Sequence, residues 1–200
     1  MGHFYTNFST LESDRPKIIG VLRAMERRAF FAADRKWCTI YDEGTEDQYS
    51  SSIEQLGNQL SQCFQRPVLG IRNHDDDMLE YWLFDGGVIV DHYNSWPGCF
   101  SEEGGREPIG GNARLLCELF DLPALADEIH GVLHEKNFVF EFQRHMELAK
   151  ILGLDPNLAT IGFVDIRRSD ISEGAKGKIT VAGNWENIPG SRAEPGSRST

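Results

Sequence analysis

The residues His74, Asp75, Asp76 and Asp77 form the group in this sequence whose types best suit a metal ion. Imidazole and carboxylate groups bind Mg²⁺, Mn²⁺ or Zn²⁺. Asp91 belongs to a later predicted strand that returns towards the same edge of the sheet. The five residues therefore predict a divalent-metal site at the 74–77 turn, which would suit a metal-dependent hydrolase.

The same turn also has a purely structural interpretation. Aspartate favours turns because its side chain accepts hydrogen bonds from nearby backbone amides. The spacing of an EF-hand calcium loop is absent, since no glycine stands at the sixth loop position and no glutamate at the twelfth. From sequence alone, residues 74–77 are thus either a metal site or a solvated turn.

No familiar nucleophile motif occurs in the chain. The sequence contains no G-x-S-x-G elbow, no S-x-x-K motif and no C-x-x-C pair. A pair formed by Cys99 and His92 through the fold stays open at this point. The missing catalytic signature favours a non-catalytic role.

Three aromatic residues, Tyr93, Trp96 and Phe100, lie around the start of a glycine-rich loop at residues 94–112. A loop of this length inside a compact domain is usually functional or mobile. Aromatic side chains dominate the energetics of interfaces, and surrounding charges steer a partner of opposite charge. These three residues are therefore the interaction candidates, and the expected partner is a basic protein.

The charge distribution narrows the function further. The net charge is −11, and residues 167–200 carry six basic and four acidic side chains (+2), which leaves −13 for residues 1–166. A body of this charge repels phosphate, so nucleic-acid binding is not expected. The sequence predicts a non-catalytic binding or protein-interaction domain, with the divalent-metal-dependent hydrolase as the alternative.

The composition also indicates where the protein resides. No apolar run approaches the ~20 residues that span a bilayer, and the N-terminus lacks the basic flank and apolar core of a secretory signal. The four cysteines stand apart from one another, as is typical of a reducing compartment. We therefore expect a cytoplasmic protein without membrane contacts.

The elements that must position these residues centre on a meander of three strands, at 68–73, 78–84 and 88–93. The acidic turn joins the first two strands, and Asp85-Gly86-Gly87 predicts a tight hairpin between the second and third. The other expected elements are strands at 2–10, 29–33, 37–41 and 160–166, helices at 14–27 and 47–65, and three helices starting near Asn112, Pro123 and Asn137. The predicted order is β-α-β-β-α-β-β-β-α-α-α-β.

This order predicts an α+β fold, with a largely antiparallel sheet and helices packed on one face of it. Residues 1–168 are expected to form a single domain. Residues 169–200 are polar and glycine-rich and repeat PGSR near the end, which predicts a flexible tail. Trp185 and Ile188 within this tail could dock on the body or on a partner.

Several phrases of the sequence are similar to a known family. The segments GHFYTN, NHDDDMLEYWLF, DHYNSWPGCF and RHMELAKILGL, within residues 1–165, together resemble an uncharacterised bacterial protein family without an established activity. The resemblance implies a single domain in the bacterial cytosol. It supplies no functional residues.

Overall fold

The computed structural model describes residues 2–34, 36–100, 105–135 and 138–185. Within these ranges the chain forms one eight-stranded antiparallel sheet with eight helices packed on it, which confirms the α+β class. The strands are β1 (Phe4–Thr10), β2 (Arg28–Asp34), β3 (Trp37–Asp42), β4 (Val68–His74), β5 (Met78–Asp85), β6 (Val88–Asn94), β7 (Ile109–Gly110) and β8 (Ile179–Gly183). The helices are α1 (Arg15–Ala24), α2 (Ser50–Phe64), α3 (Ala113–Leu119), α4 (Ala126–His134), α5 (Glu141–Leu152), α6 (Pro156–Ala159), α7 (Phe163–Arg168) and α8 (Glu173–Lys176).

The sheet has the strand order β7-β6-β5-β4-β1-β3-β2-β8. Strands β4, β5 and β6 form the predicted meander, and Asp85 pairs with Val88 across the hairpin. Gly86 and Gly87 have φ angles of 58° and 87°, a conformation that a side chain would strain. The hairpin prediction is therefore confirmed, with the residues that its backbone requires.

Helices cover both faces of the sheet, not one face as predicted. Side chains of β5 alternate between two apolar clusters: Tyr81 packs with α3, α4 and α5, whereas Trp82 and Phe84 pack with α1 and α2. Seven consecutive residues of β5 are buried. A strand buried on both sides lacks the apolar–polar alternation of a half-exposed strand, and that near-continuous apolar run is the sign of a three-layer arrangement.

The expected strand at residues 160–166 is wrong, because residues 160–162 form the turn after α6 and residues 163–166 lie in α7. Gly162 precedes α7, and its N–H donates to Asp165 Oδ2 at 2.8 Å. Phe163 and Ile166, three residues apart, are both buried. The segment TIGFVDI is rich in β-branched residues, but this local capping interaction and the helical spacing of its apolar residues decide its structure.

The predicted flexible tail does not begin at residue 169. Strand β8 pairs with β2 from Ile179 to Gly183 and so adds backbone hydrogen bonds at the edge of the sheet. Trp185 packs its ring 5.2 Å from Phe30 and 6.0 Å from Phe163, between ring centroids. The PGSR repeats and Ile188 lie outside the described residues.

The opposite edge of the sheet is only partly covered. Strand β7 pairs with β6 at Tyr93 and Asn94 alone. The first half of β6 carries Val88, Ile89 and Val90, which are 58%, 38% and 38% exposed. None of the helices in the described part of the chain combines the length and the apolarity that crossing a bilayer requires.

Candidate binding cleft

Two aspartates of the 74–77 turn, Asp75 and Asp76, accept hydrogen bonds from the chain itself. Asp75 and Asp76 have φ angles of 52° and 60°, so the backbone turns through the left-handed region at both residues. Asp75 Oδ1 accepts from the N–H of Gly2 at 2.8 Å. Asp76 is buried, accepts from Asn73 Nδ2 at 2.9 Å and lies 2.8 Å from His3 Nδ1. Their carboxylates therefore fix the start of β1 against the turn.

His74 and Asp91 do not join these aspartates. His74 Nδ1 is hydrogen-bonded to Gln48 Oε1 at 2.6 Å. Asp91 is paired with Leu83, five residues beyond the first residue of β5, which places it about 16 Å along the sheet from the turn. Its carboxylate accepts hydrogen bonds from Tyr81 Oη and from the N–H of Asn112, each at 2.7 Å.

The predicted ligand set is therefore dispersed. Among the residues that the structure describes, no group of three or more His, Cys, Asp or Glu side chains is arranged to hold a metal ion. The meander does bring the end of β6 back to the turn, as the sequence suggests. However, the residues that arrive there are Asn94 and Ser95 rather than Asp91, since Asn94 pairs with Glu80 near the start of β5.

The first interaction candidate, Tyr93, is a core residue. It is fully buried, its ring stacks on Tyr81 with 5.4 Å between centroids, and its hydroxyl donates to the carbonyl of Leu133 at 2.6 Å. Burial raises the pKa of the Tyr93 hydroxyl. This side chain attaches α4 to the sheet and has no surface to offer a partner.

Phe100 is 62% exposed and lies over a buried ion pair. The guanidinium of Arg72 is held between the rings of Trp82 and Phe100, at 5.3 and 5.7 Å from their centroids. Arg72 also forms an ion pair with Glu80, and Glu80 Oε1 lies 2.7 Å from Nε2 of His92. We call Arg72, Glu80, His92, Trp82 and Phe100 the Arg72 cluster.

Trp96 lies away from this cluster, in a cleft of about 270 Å³. The cleft is formed by the end of the meander, the segment 106–108, Glu135 and Phe138 between α4 and α5, and the first turn of α5. The lining residues are Asp77, Ser95, Trp96, Arg106, Glu107, Pro108, Glu135, Phe138, Glu141 and Arg144. We call this site the Trp96 cleft.

The backbone of β5 positions the Trp96 side of the cleft. The N–H of Ser95 donates to the carbonyl of Leu79, and the N–H of Leu79 donates to Ser95 Oγ, both at 2.9 Å. The N–H of Trp96 donates to Asn94 Oδ1 at 2.8 Å. The guanidinium of Arg106 lies 4.5 Å from the Trp96 ring centroid. One face of the indole thus already contacts a cation.

Arg144 positions the opposite wall. It is 4% exposed, and its guanidinium donates to the carbonyls of Val132, Leu133 and Glu135 at 2.6 to 2.9 Å. These carbonyls at the end of α4 have no partner within the helix, so Arg144 supplies one. The same guanidinium pairs with Glu141 at 2.7 Å and lies 4.8 Å from the ring centroid of Phe138. The buried, paired guanidinium of Arg144 thus holds the Phe138 ring in place.

The described residues that line the cleft carry a net negative charge. Four carboxylates line the cleft, against two guanidinium groups, and the buried Arg144 is paired with Glu141. The carboxylates of Asp77, Glu107 and Glu135 are exposed, as is the guanidinium of Arg106. Carboxylates beside aromatic rings attract an ammonium or guanidinium group, through charge and through the electron-rich ring faces.

Nucleophilic chemistry has little support around the cleft. Burial, reinforced by the charge of Asp77, raises the pKa of the Cys99 thiol and so disfavours the reactive thiolate. His92 is engaged with Glu80 in the Arg72 cluster. His145 is buried, lies 2.9 Å from the hydroxyl of Tyr5, and burial lowers its pKa to about 3, which keeps it neutral.

Comparison with known proteins returned no relatives. No protein-family model matches the chain, and no curated protein or solved structure matches it. The resemblance of GHFYTN and the other phrases to a bacterial family therefore stays a prediction. The function has to be argued from the cleft itself.

Proposed function

We propose that this protein is a non-catalytic protein-interaction domain whose Trp96 cleft accepts a basic side chain of a partner protein. The observation that carries the proposal is the pairing of aromatic walls, Trp96 and Phe138, with a carboxylate rim in one cleft. The cleft volume of about 270 Å³ lies just below the range of sites for drug-sized ligands, about 300–1,000 Å³. A cleft of this size accommodates one amino-acid side chain.

The affinity for a basic side chain is expected to come from several weak interactions. A cation over an exposed aromatic face contributes about 0.5–1 kcal/mol, and an exposed ion pair contributes up to about 1 kcal/mol. One ring and two or three carboxylates therefore sum to about 3–4 kcal/mol, so a single basic side chain is expected to bind with a Kd of about 1–10 mM. A folded partner would add contacts around this anchor.

The charge of the whole chain supports the same kind of partner. A net charge of −11 produces a negative field that accelerates encounter with a basic protein and repels nucleic acid. The proposal places the protein in the cytoplasm. Supporting this, Cys38, Cys63, Cys99 and Cys117 are all free thiols.

The test uses the smallest ligand that carries the recognised group. N-acetyl-arginine amide is titrated into the ¹⁵N-labelled full chain, and the indole N–H signal of Trp96 is followed by NMR. We expect saturable shifts with a Kd on the order of 1–10 mM. N-acetyl-citrulline amide, which has nearly the same shape without the charge, should leave the signal unmoved. Equal shifts with both compounds would contradict the proposal.

Matched charge variants locate the site. Asp77→Asn/Glu107→Gln removes two exposed negative charges that line the cleft. Asp127→Asn/Glu128→Gln removes two exposed negative charges of α4 that do not line it. The first variant should weaken binding about five-fold, whereas the second should change it less than two-fold. Equal weakening would mean that the net charge alone attracts the ligand and that the cleft has no specific role.

A further inference from the structure

A second cavity, of about 510 Å³, lies on the outer side of α5. Its lining residues are Phe138, Phe142, Gln143, Met146 and Glu147. Phe142 and Met146 are one helical turn apart, so they present one apolar surface. We call this site the Met146 cavity.

The surface beside this cavity is unusually apolar. Val139 is 78% exposed and Phe140 is 49% exposed, and the ring of Phe140 lies 6.3 Å from that of Phe142. Phe138, Val139 and Phe140 follow one another directly before α5, so three apolar side chains lie close to Phe142 of the cavity. Contiguous apolar surface of this kind typically marks an interaction site in a soluble protein.

The two cavities share the ring of Phe138. Arg144 holds that ring, with 4.8 Å between its guanidinium carbon and the ring centroid, so the spacing of the two cavities is fixed by the fold. Two groups that contact one ring from its two sides, at about 3.5 Å each, are about 7 Å apart. In an extended peptide, side chains at positions i and i+2 point to the same side and are about 7 Å apart, which matches this spacing.

From this geometry we infer that the partner presents an extended segment with a basic residue, any residue, and then a large apolar residue, or the reverse order. The basic side chain enters the Trp96 cleft, and the apolar side chain enters the Met146 cavity. The inference rests on the proposed function and specifies its ligand. A second copy of the chain fits less well, because it would bring a body of net charge −11 against the carboxylate rim.

The experiment compares five-residue peptides on the full chain. The reference is acetyl-Gly-Arg-Ala-Leu-Gly-amide, and acetyl-Gly-Leu-Ala-Arg-Gly-amide tests the reverse order. Further peptides replace the leucine by alanine or the arginine by citrulline. Binding is followed by NMR at the Trp96 indole and the Met146 methyl group. We expect the better Arg/Leu order to bind roughly tenfold more tightly than its Arg/Ala counterpart, because the leucine is withdrawn from water.

A variant of the apolar cavity provides the control. Met146 is only half-buried on α5, so Met146→Gln should preserve the fold, which circular dichroism and thermal melting verify. In this variant the tenfold advantage of the leucine should disappear, while the Arg/Ala peptide binds as before.

The outcomes separate the two proposals. If the Arg/Ala peptide binds and leucine adds nothing in either order, the two-cavity inference is wrong and the basic-side-chain site stands. If no arginine peptide binds, the proposed function itself fails. A citrulline/leucine peptide that binds as tightly as the Arg/Leu peptide would overturn the coupling of the two cavities. So would a dimer in sedimentation equilibrium that Met146→Gln dissociates, because the apolar surface would then be covered by a second copy.

Discussion

The Arg72 cluster and the Trp96 cleft use the same residue types for opposite purposes. Each contains arginine, glutamate and aromatic rings, and each adjoins the short segment from Ser95 to Phe100. In the Arg72 cluster the guanidinium is buried and its charge is matched by Glu80. In the Trp96 cleft the carboxylates outnumber the guanidinium groups and most of them face solvent. Charge balance and burial, rather than residue type, separate a structural cluster from a binding site.

The largest loss of stability is expected for a substitution in the Arg72 cluster. Arg72→Leu leaves Glu80 as a buried charge without its main partner, which should lower the free energy of unfolding by about 3 kcal/mol. Urea denaturation measures this loss. The double variant Arg72→Leu/Glu80→Leu should recover most of it, because both charges are then absent. A single variant as stable as the parent would show that the cluster is not structural.

The second-largest loss of stability is expected for a substitution of Arg144, in the wall of the Trp96 cleft. Arg144→Lys keeps the positive charge but cannot reach three carbonyls and Glu141 in one planar arrangement, so about 2 kcal/mol of stability should be lost. Phe138 should also lose its fixed position. Urea denaturation and the NMR signals of the Phe138 ring report the two effects separately. Unchanged stability would mean that the wall needs only the charge.

Glu46 is a half-buried carboxylate that belongs to neither site, and its titration should make the stability of the protein depend on pH. Burial raises the pKa of Glu46 to about 7, and the charge of Asp165 adds to the rise. Because the folded state keeps this proton to a higher pH than the unfolded state, the stabilisation is complete below about pH 4.5 and is lost as the pH rises through 7. Glu46→Gln avoids the loss, so it should be about 1–2 kcal/mol more stable than the parent at pH 8.5.

Thermal melting at two pH values checks this prediction. The variant should melt about 2–4 °C or more above the parent at pH 8.5 and within a degree of it at pH 4.5. Glu43→Gln, at a nearby carboxylate that pairs with Arg28, serves as the comparison and should not gain stability at high pH. A gain that is the same at both pH values would assign the effect to packing instead of titration.

The smallest effect is expected for the exposed arginine of the cleft. Arg106→Ala should change the stability by less than about 0.5 kcal/mol, since its charge is solvated. The same change removes a competing cation from the Trp96 ring. Binding of N-acetyl-arginine amide should therefore tighten about two- to three-fold. Weaker binding would show that Arg106 helps to hold the ligand.

Local patterns in the sequence predict much of the fold. The glycine pair at 86–87 defines the hairpin, and the apolar stripe of α2 runs through Ile53, Leu56 and Leu60 as a helix requires. The strand expected at 160–166 fails because the hydrogen bond from Gly162 to Asp165 overrides β-propensity. Likewise, the pairing of β8 with β2 is a long-range contact that the composition of residues 179–183 does not reveal.

The candidate site is less visible in the sequence. Trp96 is found as an aromatic residue in a glycine-rich loop, but Tyr93, three residues earlier, looks equivalent and is buried. Sequence reasoning missed Arg144. Its spacing of four from Leu148 and eight from Leu152 puts it on the buried stripe of α5, which is a detectable signal. No local pattern in the sequence links Phe138 to Trp96. The two residues meet in the cleft through the tertiary packing of α5 against the meander.

The half-covered strand β6 has a practical consequence for handling this protein. Val88, Ile89 and Val90 present consecutive branched side chains on an edge that β7 leaves open. Such an edge can template pairing between molecules, and the nearby carboxylates of Asp85 and Asp91 counteract it by mutual repulsion. High salt weakens that repulsion. Concentrated stocks should therefore keep best in buffer of low ionic strength.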